Sequence, residues 1–316
     1  MAMPLVETKN LTKYIKTGAG MLHAVEDFNL KIMPGKTLGG GGESGCGKST
    51  LGRTILRLQP ATSGEVLYNG ENILKYKGKD MQKIHLNMQM VFQDPYSSLD
   101  PRMSVHNLIA EPVQVCGLLK TKAEINEHVR EIMDMCGLPA DQANLFPHEL
   151  DGGLRQRVGL ARAMAVSPKF IVCDEPVSAL DVSIQAQILN LLMDLQEQRE
   201  LSYMFITHDL CVVKHISDEI MVMYMGQVVE HAKTAELFAN PVHPYTKALL
   251  HAVPTIDLSK RNREGFMLRG EVTSPINPAP GCRFAPRCPY ATDKCKENVC
   301  LKEVSPDHFV ACSLCD

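Results

Sequence analysis

The sequence lacks the features that would direct it into a membrane, along the secretory pathway or onto nucleic acid. No apolar run approaches the ~18–20 residues that a membrane-spanning helix needs. Residues 1–7 lack the charged and apolar regions of a signal peptide. The net charge is −3, so no global basic surface argues for nucleic acid. We therefore expect an intracellular protein, and if it works at a membrane, other subunits must span the bilayer.

Internal repeats and low-complexity segments are also missing. The 316 residues, 45% hydrophobic and 22% charged, suffice for one large core and an appendage. Eleven cysteines without a secretion signal point to thiols and metal rather than to disulfides.

One segment determines the chemistry. Residues 42–50 read Gly-Glu-Ser-Gly-Cys-Gly-Lys-Ser-Thr, a phosphate-binding loop between a predicted strand (36–38) and a predicted helix (48–58). Its glycines let backbone N–H groups turn inward around a triphosphate, and the following helix points its positive end at the same charge. We expect Lys48 to reach the β- and γ-phosphates and Ser49 to offer its hydroxyl to Mg²⁺. The loop residues expected to bind the nucleoside triphosphate are Gly42, Ser44, Gly45, Cys46, Gly47, Lys48, Ser49 and Thr50.

A pair of acids follows a second predicted strand. Residues 170–173 are apolar, and Asp174 and Glu175 come at the carboxyl end of the strand, where α/β sheets place their ligands. We expect Asp174 to hold the hydration shell of Mg²⁺ and Glu175 to polarise the attacking water. Two acids after an apolar strand more often form a solvated loop, but the phosphate loop upstream favours a catalytic pair.

With these motifs in this order, residues 5–250 resemble the ATP-binding-cassette (ABC) ATPases. Gln93 stands where that family keeps its Q-loop glutamine, a contact of the metal and the water, and His208 stands at the switch-histidine position. Residues 148–154 resemble the family signature, and residues 178–181 resemble the D-loop.

The same resemblance gives Tyr14 the role of the aromatic residue that stacks on adenine. For Tyr14 alone, a tyrosine packed on a strand is almost as good an interpretation. A soluble ATPase of this fold acting on DNA or ribosomes would need a coiled-coil insertion or a second cassette, and the sequence has neither.

The resemblance implies an α/β fold: a P-loop NTPase (RecA-like) core with an antiparallel β subdomain, an inserted α-helical subdomain and a Cys-rich extension. Residues 1–250 would form the nucleotide-binding domain, with its helical subdomain at about 95–165, and residues 251–316 the extension. Apolar residues alternate with polar ones in 5–35 and fall at helix-period spacings from 104 to 165, which agrees with this plan.

Three stretches, residues 92–102, 175–183 and 243–250, are similar to the ATPase subunits of bacterial oligopeptide, dipeptide and nickel importers. This similarity implies ATP-driven import of peptides or a related small solute. It implies four partner subunits: a second ABC ATPase subunit (identical or a paralogue), two transmembrane permease subunits and an extracytoplasmic solute-binding protein. The chain would lie at the cytoplasmic face of the inner membrane.

Six cysteines lie close together in the C-terminal part: Cys282, Cys288, Cys295, Cys300, Cys312 and Cys315. Three interpretations compete, namely a structural zinc site, an iron–sulfur cluster and free thiols. The spacing contains no pair of C-x2-C knuckles, so zinc-ribbon spacing is not met. The importer resemblance favours a [4Fe–4S] cluster held by Cys282, Cys288, Cys295 and Cys312, in which Cys300 and Cys315 have no place.

The signature departs from the family pattern Leu-Ser-Gly-Gly-Gln, since here it reads Leu150-Asp151-Gly152-Gly153-Leu154. In this family two subunits sandwich ATP head to tail, and Asp151, Gly152 and Gly153 would cap the partner's nucleotide. An ionised Asp151 cannot donate a hydrogen bond, and at ~4 Å and an effective dielectric near 20 it repels a phosphate charge by about 4 kcal/mol. Leu154 removes an amide as well. The alternative function is therefore a catalytically weak ATP-binding regulatory subunit paired with a competent paralogue.

A second departure is Gly40-Gly41, where relatives carry bulky aliphatic residues on the strand that enters the phosphate loop. We expect the loss of each buried side chain to cost roughly 1.5–3 kcal/mol.

Overall fold

The structure, a computed structural model, describes residues 3–252 and 275–315. The chain forms two compact units: Met1–Ile32, Thr37–Leu74 and Phe205–Asp316 make the first, and Met33–Lys36 and Lys75–Met204 make the second. The start of the expected extension, 253–274, lies outside the described residues. None of the helices in the described part is both long and apolar enough to span a bilayer.

The described chain contains both strands and helices. The strands are β1 (Val6–Thr17), β2 (Gly20–Ile32), β3 (Thr37–Gly41), β4 (Ser63–Tyr68), β5 (Glu71–Asn72), β6 (Met88–Val91), β7 (Phe170–Asp174), β8 (Ser202–Ile206), β9 (Glu219–Tyr224), β10 (Gln227–Lys233), β11 (Lys302–Ser305) and β12 (His308–Val310). The helices are α1 (Lys48–Ile55), α2 (Gly78–Asn87), α3 (Pro95–Ser98), α4 (Val105–Val115), α5 (Lys122–Met135), α6 (Gly152–Met164), α7 (Val182–Arg199), α8 (Leu210–Ile216), α9 (Thr234–Ala239) and α10 (Pro244–Ala252).

The first unit contains an antiparallel sheet with the strand order β2-β1-β4-β5. Val6 lies opposite Ile32 on β2 and Tyr68 on β4, and this register buries Val6 and Ile32 almost completely. Because side chains alternate across a strand, the polar residues between the buried ones face outward. The strands predicted within 5–35 are confirmed.

In its other sheet the first unit has the strand order β11-β12-β10-β9-β3. β3 runs parallel to β9, and β9 and β10 form a hairpin whose turn residues Met225 and Gly226 have φ of 45° and 82°. β12 from the C-terminal segment pairs with β10, with Val310 opposite Glu230. The C-terminal segment is thus part of the first unit and extends its sheet.

β6 and β7 run parallel in the second unit, with Val91 opposite Cys173, and α2 to α7 belong to the same unit. Polar side chains fix where the helices begin. Ser104 caps α4, and Thr121 and Glu124 form a reciprocal capping box on α5. The helices predicted between 104 and 165 are confirmed.

The predicted boundaries around the phosphate loop shift by a few residues. The strand reaches Gly41, further than predicted, because sheet pairing with β9 overrides the low strand propensity of its glycines. The helix that follows ends at Ile55, before the predicted 58, because Arg57 turns the chain with φ 56°.

Candidate active site

The phosphate loop, residues 42–50, connects β3 to α1 in the first unit. Gly42 has a φ of 141°, and a Cβ added there would lie 2.3 Å from the Met223 carbonyl oxygen. Gly47 has a φ of 105°, and a Cβ added there would lie 2.1 Å from the Ala24 carbonyl oxygen. Only glycine fits at these two positions. Beside Gly45, by contrast, a Cβ would meet no atom within 4 Å. The loop is therefore held tightly at both ends and has open space at its tip, where an anion can approach the backbone.

Lys48 begins α1, and its ammonium group lies against the inside of the loop. The side chain is buried, and Nζ donates hydrogen bonds to the carbonyl oxygens of Gly42 (2.7 Å) and Glu43 (3.0 Å). Burial raises the pKa of the Cys46 thiol, and the nearby Lys48 partly opposes that rise. Ser49 and Thr50 lie in the first turn of α1. These groups fit a nucleoside triphosphate, and Ser49 carries a hydroxyl, a type of group that can bind Mg²⁺.

The glycine run of β3 leaves no empty space. A Cβ at Gly39 would lie 2.3 Å from Val213 Cγ1, and one at Gly41 would lie 2.7 Å from Leu210 Cδ2. At Gly40 it would lie 3.1 Å from Met221 Cε. The side chains of α8 and β9 fill the volume that larger residues would occupy, which offsets part of the burial loss expected for Gly40 and Gly41.

Tyr14 lies on β1, and one face of its ring is already covered. The ring stacks on His23 with centroids 3.9 Å apart, and its hydroxyl donates to Glu26 Oε1 at 3.0 Å. Glu26 also forms an ion pair with Arg283 from the C-terminal segment. Burial, and then Arg283, lowers the pKa of His23. No sequence motif pointed to His23, Glu26 or Arg283, because their contacts join separate segments of the chain.

His208 lies in the exposed turn between β8 and α8. The preceding residue, Thr207, donates its backbone N–H to the Gly40 carbonyl oxygen at 3.2 Å. Asp209 then caps α8 by accepting a hydrogen bond from the Cys211 N–H at 2.8 Å. These bonds attach the turn that carries His208 to the strand leading into the phosphate loop.

Two predicted catalytic residues meet in the second unit. Gln93 Nε2 donates a hydrogen bond to Glu175 Oε2 at 3.0 Å. Glu175 is nearly buried with φ 46°, and Asp174, which ends β7, is completely buried. A non-glycine residue with positive φ is uncommon and is often found at a functional site. The second unit thus holds the Gln93 amide against the Glu175 carboxylate.

Asp151 is the N-cap of α6, and its Oδ1 accepts a hydrogen bond from the Leu154 N–H at 2.8 Å. The helix begins close to the segment that carries the D-loop, because a Cβ at Gly153 would lie 2.7 Å from Ile184 Cγ2 and one at Gly152 would lie 3.2 Å from Leu180 Cδ2. A carboxylate at a helix N-terminus gains about 0.3–1 kcal/mol from the helix dipole. That gain is smaller than the ~4 kcal/mol repulsion expected between Asp151 and a phosphate charge.

Comparisons with known proteins agree with these motifs. The ABC transporter family matches residues 25–178, and the oligopeptide/dipeptide transporter C-terminal region matches residues 229–295. The oligopeptide transport ATP-binding protein AppF of Bacillus subtilis (strain 168) is 46% identical over 320 residues, covering 98% of this chain and 97% of that protein. OppF of the same organism is 48% identical over 315 residues, with 99% and 97% covered.

The chain belongs to the ATP-binding proteins of the ABC oligopeptide/dipeptide import family. Its fold is that of the ABC ATPase cassette, and its activity is ATP hydrolysis coupled to transport. Among solved structures, the bacterial ABC transporter cassette MJ0796 matches with a TM-score of 0.66 and 29% identity, covering 72% of this chain and 98% of that one. The family and fold class predicted from the sequence are confirmed.

None of the six C-terminal cysteines of this ABC ATPase forms a disulfide in the part of the chain that the structure describes. Cys282 and Cys288 each lie within electrostatic range of Cys295 and Cys312, and burial is the main cause that raises the pKa of the first two. Cys300 is exposed. Within residues 3–252 and 275–315, no three His, Cys, Asp or Glu side chains are arranged to hold a metal ion. The four predicted ligands therefore lie near one another but do not form a finished ligand set.

Cys295 has hydrogen-bond partners that favour its thiolate. Burial opposes ionisation, but the Ser313 hydroxyl at 3.3 Å and the Thr292 N–H at 3.5 Å together lower the pKa of Cys295. The thiolate is the form that binds metal. The four cysteines are therefore of the right chemical type to bind a metal as thiolates, but they are not arranged around a common metal position.

Proposed function

We propose that this chain hydrolyses ATP with Lys48, Ser49, Asp174, Glu175 and His208 and so powers oligopeptide import. The observation that carries the catalytic part is the hydrogen bond from Gln93 to Glu175. It gives the carboxylate a fixed orientation in a nearly buried position, which suits a group that polarises water. The substrate class comes from AppF and OppF, which are named as oligopeptide transport proteins.

The test of this proposal is the variant Glu175→Gln. We expect it to bind ATP as the wild type does and to reduce turnover by about 10²-fold or more, because the amide cannot accept a proton from water. Glu197→Gln, an exposed glutamate on α7 in the same unit, is the matched control and should leave turnover unchanged. Unchanged turnover of Glu175→Gln in a homodimeric preparation would remove Glu175 from the catalytic role.

We propose further that the chain pairs with a second ABC ATPase subunit at the cytoplasmic face of the inner membrane. Support comes from MJ0796, which was solved as a dimer of cassettes. Two transmembrane permease subunits and an extracytoplasmic solute-binding protein would complete the importer. The helices between 95 and 165 are the proposed surface for the permease, and residues 251–316 the proposed extension.

The altered signature supports a refinement of this proposal. Asp151 is exposed and places its carboxylate at the start of α6, so the cap that this chain offers carries negative charge. The chain's own catalytic groups stay intact. If the partner is a paralogue with a normal signature, that signature would cap the nucleotide bound to this chain's phosphate loop. This site would then be the one that hydrolyses ATP. A homodimer would have the altered cap at both nucleotide sites and should hydrolyse ATP slowly. The chain would then be the catalytically weak regulatory subunit.

For the C-terminal cysteines we propose an iron–sulfur cluster held by Cys282, Cys288, Cys295 and Cys312, with zinc as the alternative. Their mutual proximity and the lowered pKa of Cys295 support a shared ligand. A cluster would cross-link a segment with little regular structure and so stabilise it.

A further inference from the structure

Glu43, the second residue of the phosphate loop, is held by the C-terminal part of the chain. Its backbone N–H donates to the Tyr245 hydroxyl at 2.9 Å. Its carboxylate accepts two hydrogen bonds from Arg287, at 2.7 Å to Oε2 and 3.2 Å to Oε1. Its carbonyl oxygen accepts the bond from Lys48 Nζ at 3.0 Å. One loop residue thus connects Arg287 and Tyr245 to the lysine that is expected to bind phosphate.

Arg287 and Glu43 form a bidentate ion pair, which is stronger than a single hydrogen bond between neutral groups. Two parallel hydrogen bonds between a guanidinium and a carboxylate fix distance and orientation together. The Arg287 side chain is only 6% exposed, so its charge has little access to water and depends on this partner. The Glu43 carboxylate is 27% exposed, so removing Arg287 would leave it partly solvated but without a cationic partner beside the loop.

A buried aromatic cluster fixes the positions from which Arg287 and Tyr245 act. The rings of Tyr224, Tyr245 and Phe284 are almost fully buried, with centroids 4.8 to 5.4 Å apart. Arg287 follows Phe284 by one 3₁₀ turn, and its guanidinium lies over the Tyr224 ring at 5.9 Å. Because the cluster is rigid, both polar ends reach Glu43 with little freedom to move.

We propose that Arg287 is a positioning residue for ATP binding. It holds the loop turn at Glu43 and neutralises a carboxylate that would otherwise stand beside the bound triphosphate. The inference rests on the proposed binding of ATP at this loop. It gives the C-terminal segment a direct part in nucleotide affinity, through a side chain that lies 244 residues from its partner in the sequence.

The test compares the ATP affinity and turnover of the full-length wild type with those of variants at Arg287. Arg287→Ala should raise the Kd for ATP by about tenfold, within the range measured for coupled neighbours, with a smaller change in kcat. Arg287→Lys keeps the positive charge but loses the paired hydrogen bonds. Its Kd for ATP should therefore lie between those of the wild type and Arg287→Ala. Adding Glu43→Gln to Arg287→Ala should recover part of the affinity, because the uncompensated carboxylate is then gone.

Lys233→Ala is the matched control. Lys233 on β10 also joins the C-terminal segment to the sheet, through an exposed ion pair with Asp307 at 2.6 Å, and has no contact with the loop residues named above. It should leave ATP affinity unchanged. If Arg287→Ala does not fold, Arg287→Lys with and without Glu43→Gln makes the same comparison.

Two outcomes would overturn the role of Arg287. One is wild-type ATP affinity in Arg287→Ala, and the other is a loss that Glu43→Gln does not reduce, as general destabilisation would produce. The proposed function fails differently: Lys48→Ala would then bind ATP as well as the wild type does. Loss of binding in Lys48→Ala with no effect of Arg287→Ala keeps the function and removes only the positioning role.

Discussion

His243 should make the stability of this ATPase depend on pH. The residue precedes α10, its side chain is 1% exposed, and its Nδ1 accepts a hydrogen bond from the Tyr245 N–H at 3.1 Å. Burial, and then the charge of Lys247, lowers its pKa from 6.5 to about 4. Between these pH values the unfolded chain binds a proton that the folded chain does not. Stability therefore rises with pH through this window and is lost as the pH falls from about 6.5 to about 4.

The full loss is about 3 kcal/mol, since the pKa differs by about 2.5 units and each unit corresponds to ~1.36 kcal/mol. The comparison uses His243→Asn, whose side-chain oxygen can still accept the Tyr245 N–H but does not titrate in this range. Urea unfolding at about pH 7.5 and about pH 4.5 gives the free energy of each protein. The wild type should lose about 2–3 kcal/mol more than the variant over that interval. Equal losses would show that His243 is not held neutral by burial.

Other predictions concern the buried tail contact, the signature and the cysteines. His308→Phe should lower the unfolding free energy by about 1–3 kcal/mol, because Glu230, 0% exposed, then keeps the backbone N–H bonds from Val242 and His243 but loses its side-chain donor at 2.8 Å. His308→Gln, which can still donate, should lose less. Asp151→Ser with Leu154→Gln should raise ATP turnover, more in a homodimer than in a pair with a normal paralogue. Anaerobically purified protein should be brown and contain about four iron atoms per chain.

Each of these has a clear contrary result. Equal stability of the two His308 variants would mean that shape rather than hydrogen bonding matters at that position. Unchanged turnover after restoring the signature, in protein that dimerises on ATP, would mean that the donors of Gly152 and Gly153 suffice. Stoichiometric zinc without iron after anaerobic handling would decide for the zinc site.

Contiguous motifs made much of the fold and of the candidate site predictable. The phosphate loop needs particular residues at particular spacings, so the positions of Gly42, Gly47 and Lys48 in the loop follow from the sequence alone. The apolar run that ends in Asp174 is the signal of a buried parallel strand, and the structure has β7 there. These features depend on local backbone geometry and on the period of side-chain burial, and both are written into neighbouring residues.

The contacts that join distant segments could not be predicted. Glu43 occupies a variable position of the loop motif, so the motif assigns it no role. Arg287 lies among cysteines whose spacing suggested a metal site. Neither the partner of a charged residue nor its burial follows from composition or periodicity. The same holds for Glu230 and His308, 78 residues apart, which form a buried pair that stabilises the pairing of β10 with β12.

The two departures from the family pattern differ in whether the chain itself can relieve them. The glycines of β3 meet Val213, Leu210 and Met221, so neighbouring side chains fill the volume within the same unit. Asp151 makes the hydrogen bond that a capping serine would make, and its only local gain is the helix dipole, about 0.3–1 kcal/mol against a repulsion of about 4 kcal/mol. Because serine would cap α6 equally well, Asp151→Ser removes the charge without removing the cap. A change in turnover would therefore report on that charge, which only a partner's nucleotide would meet.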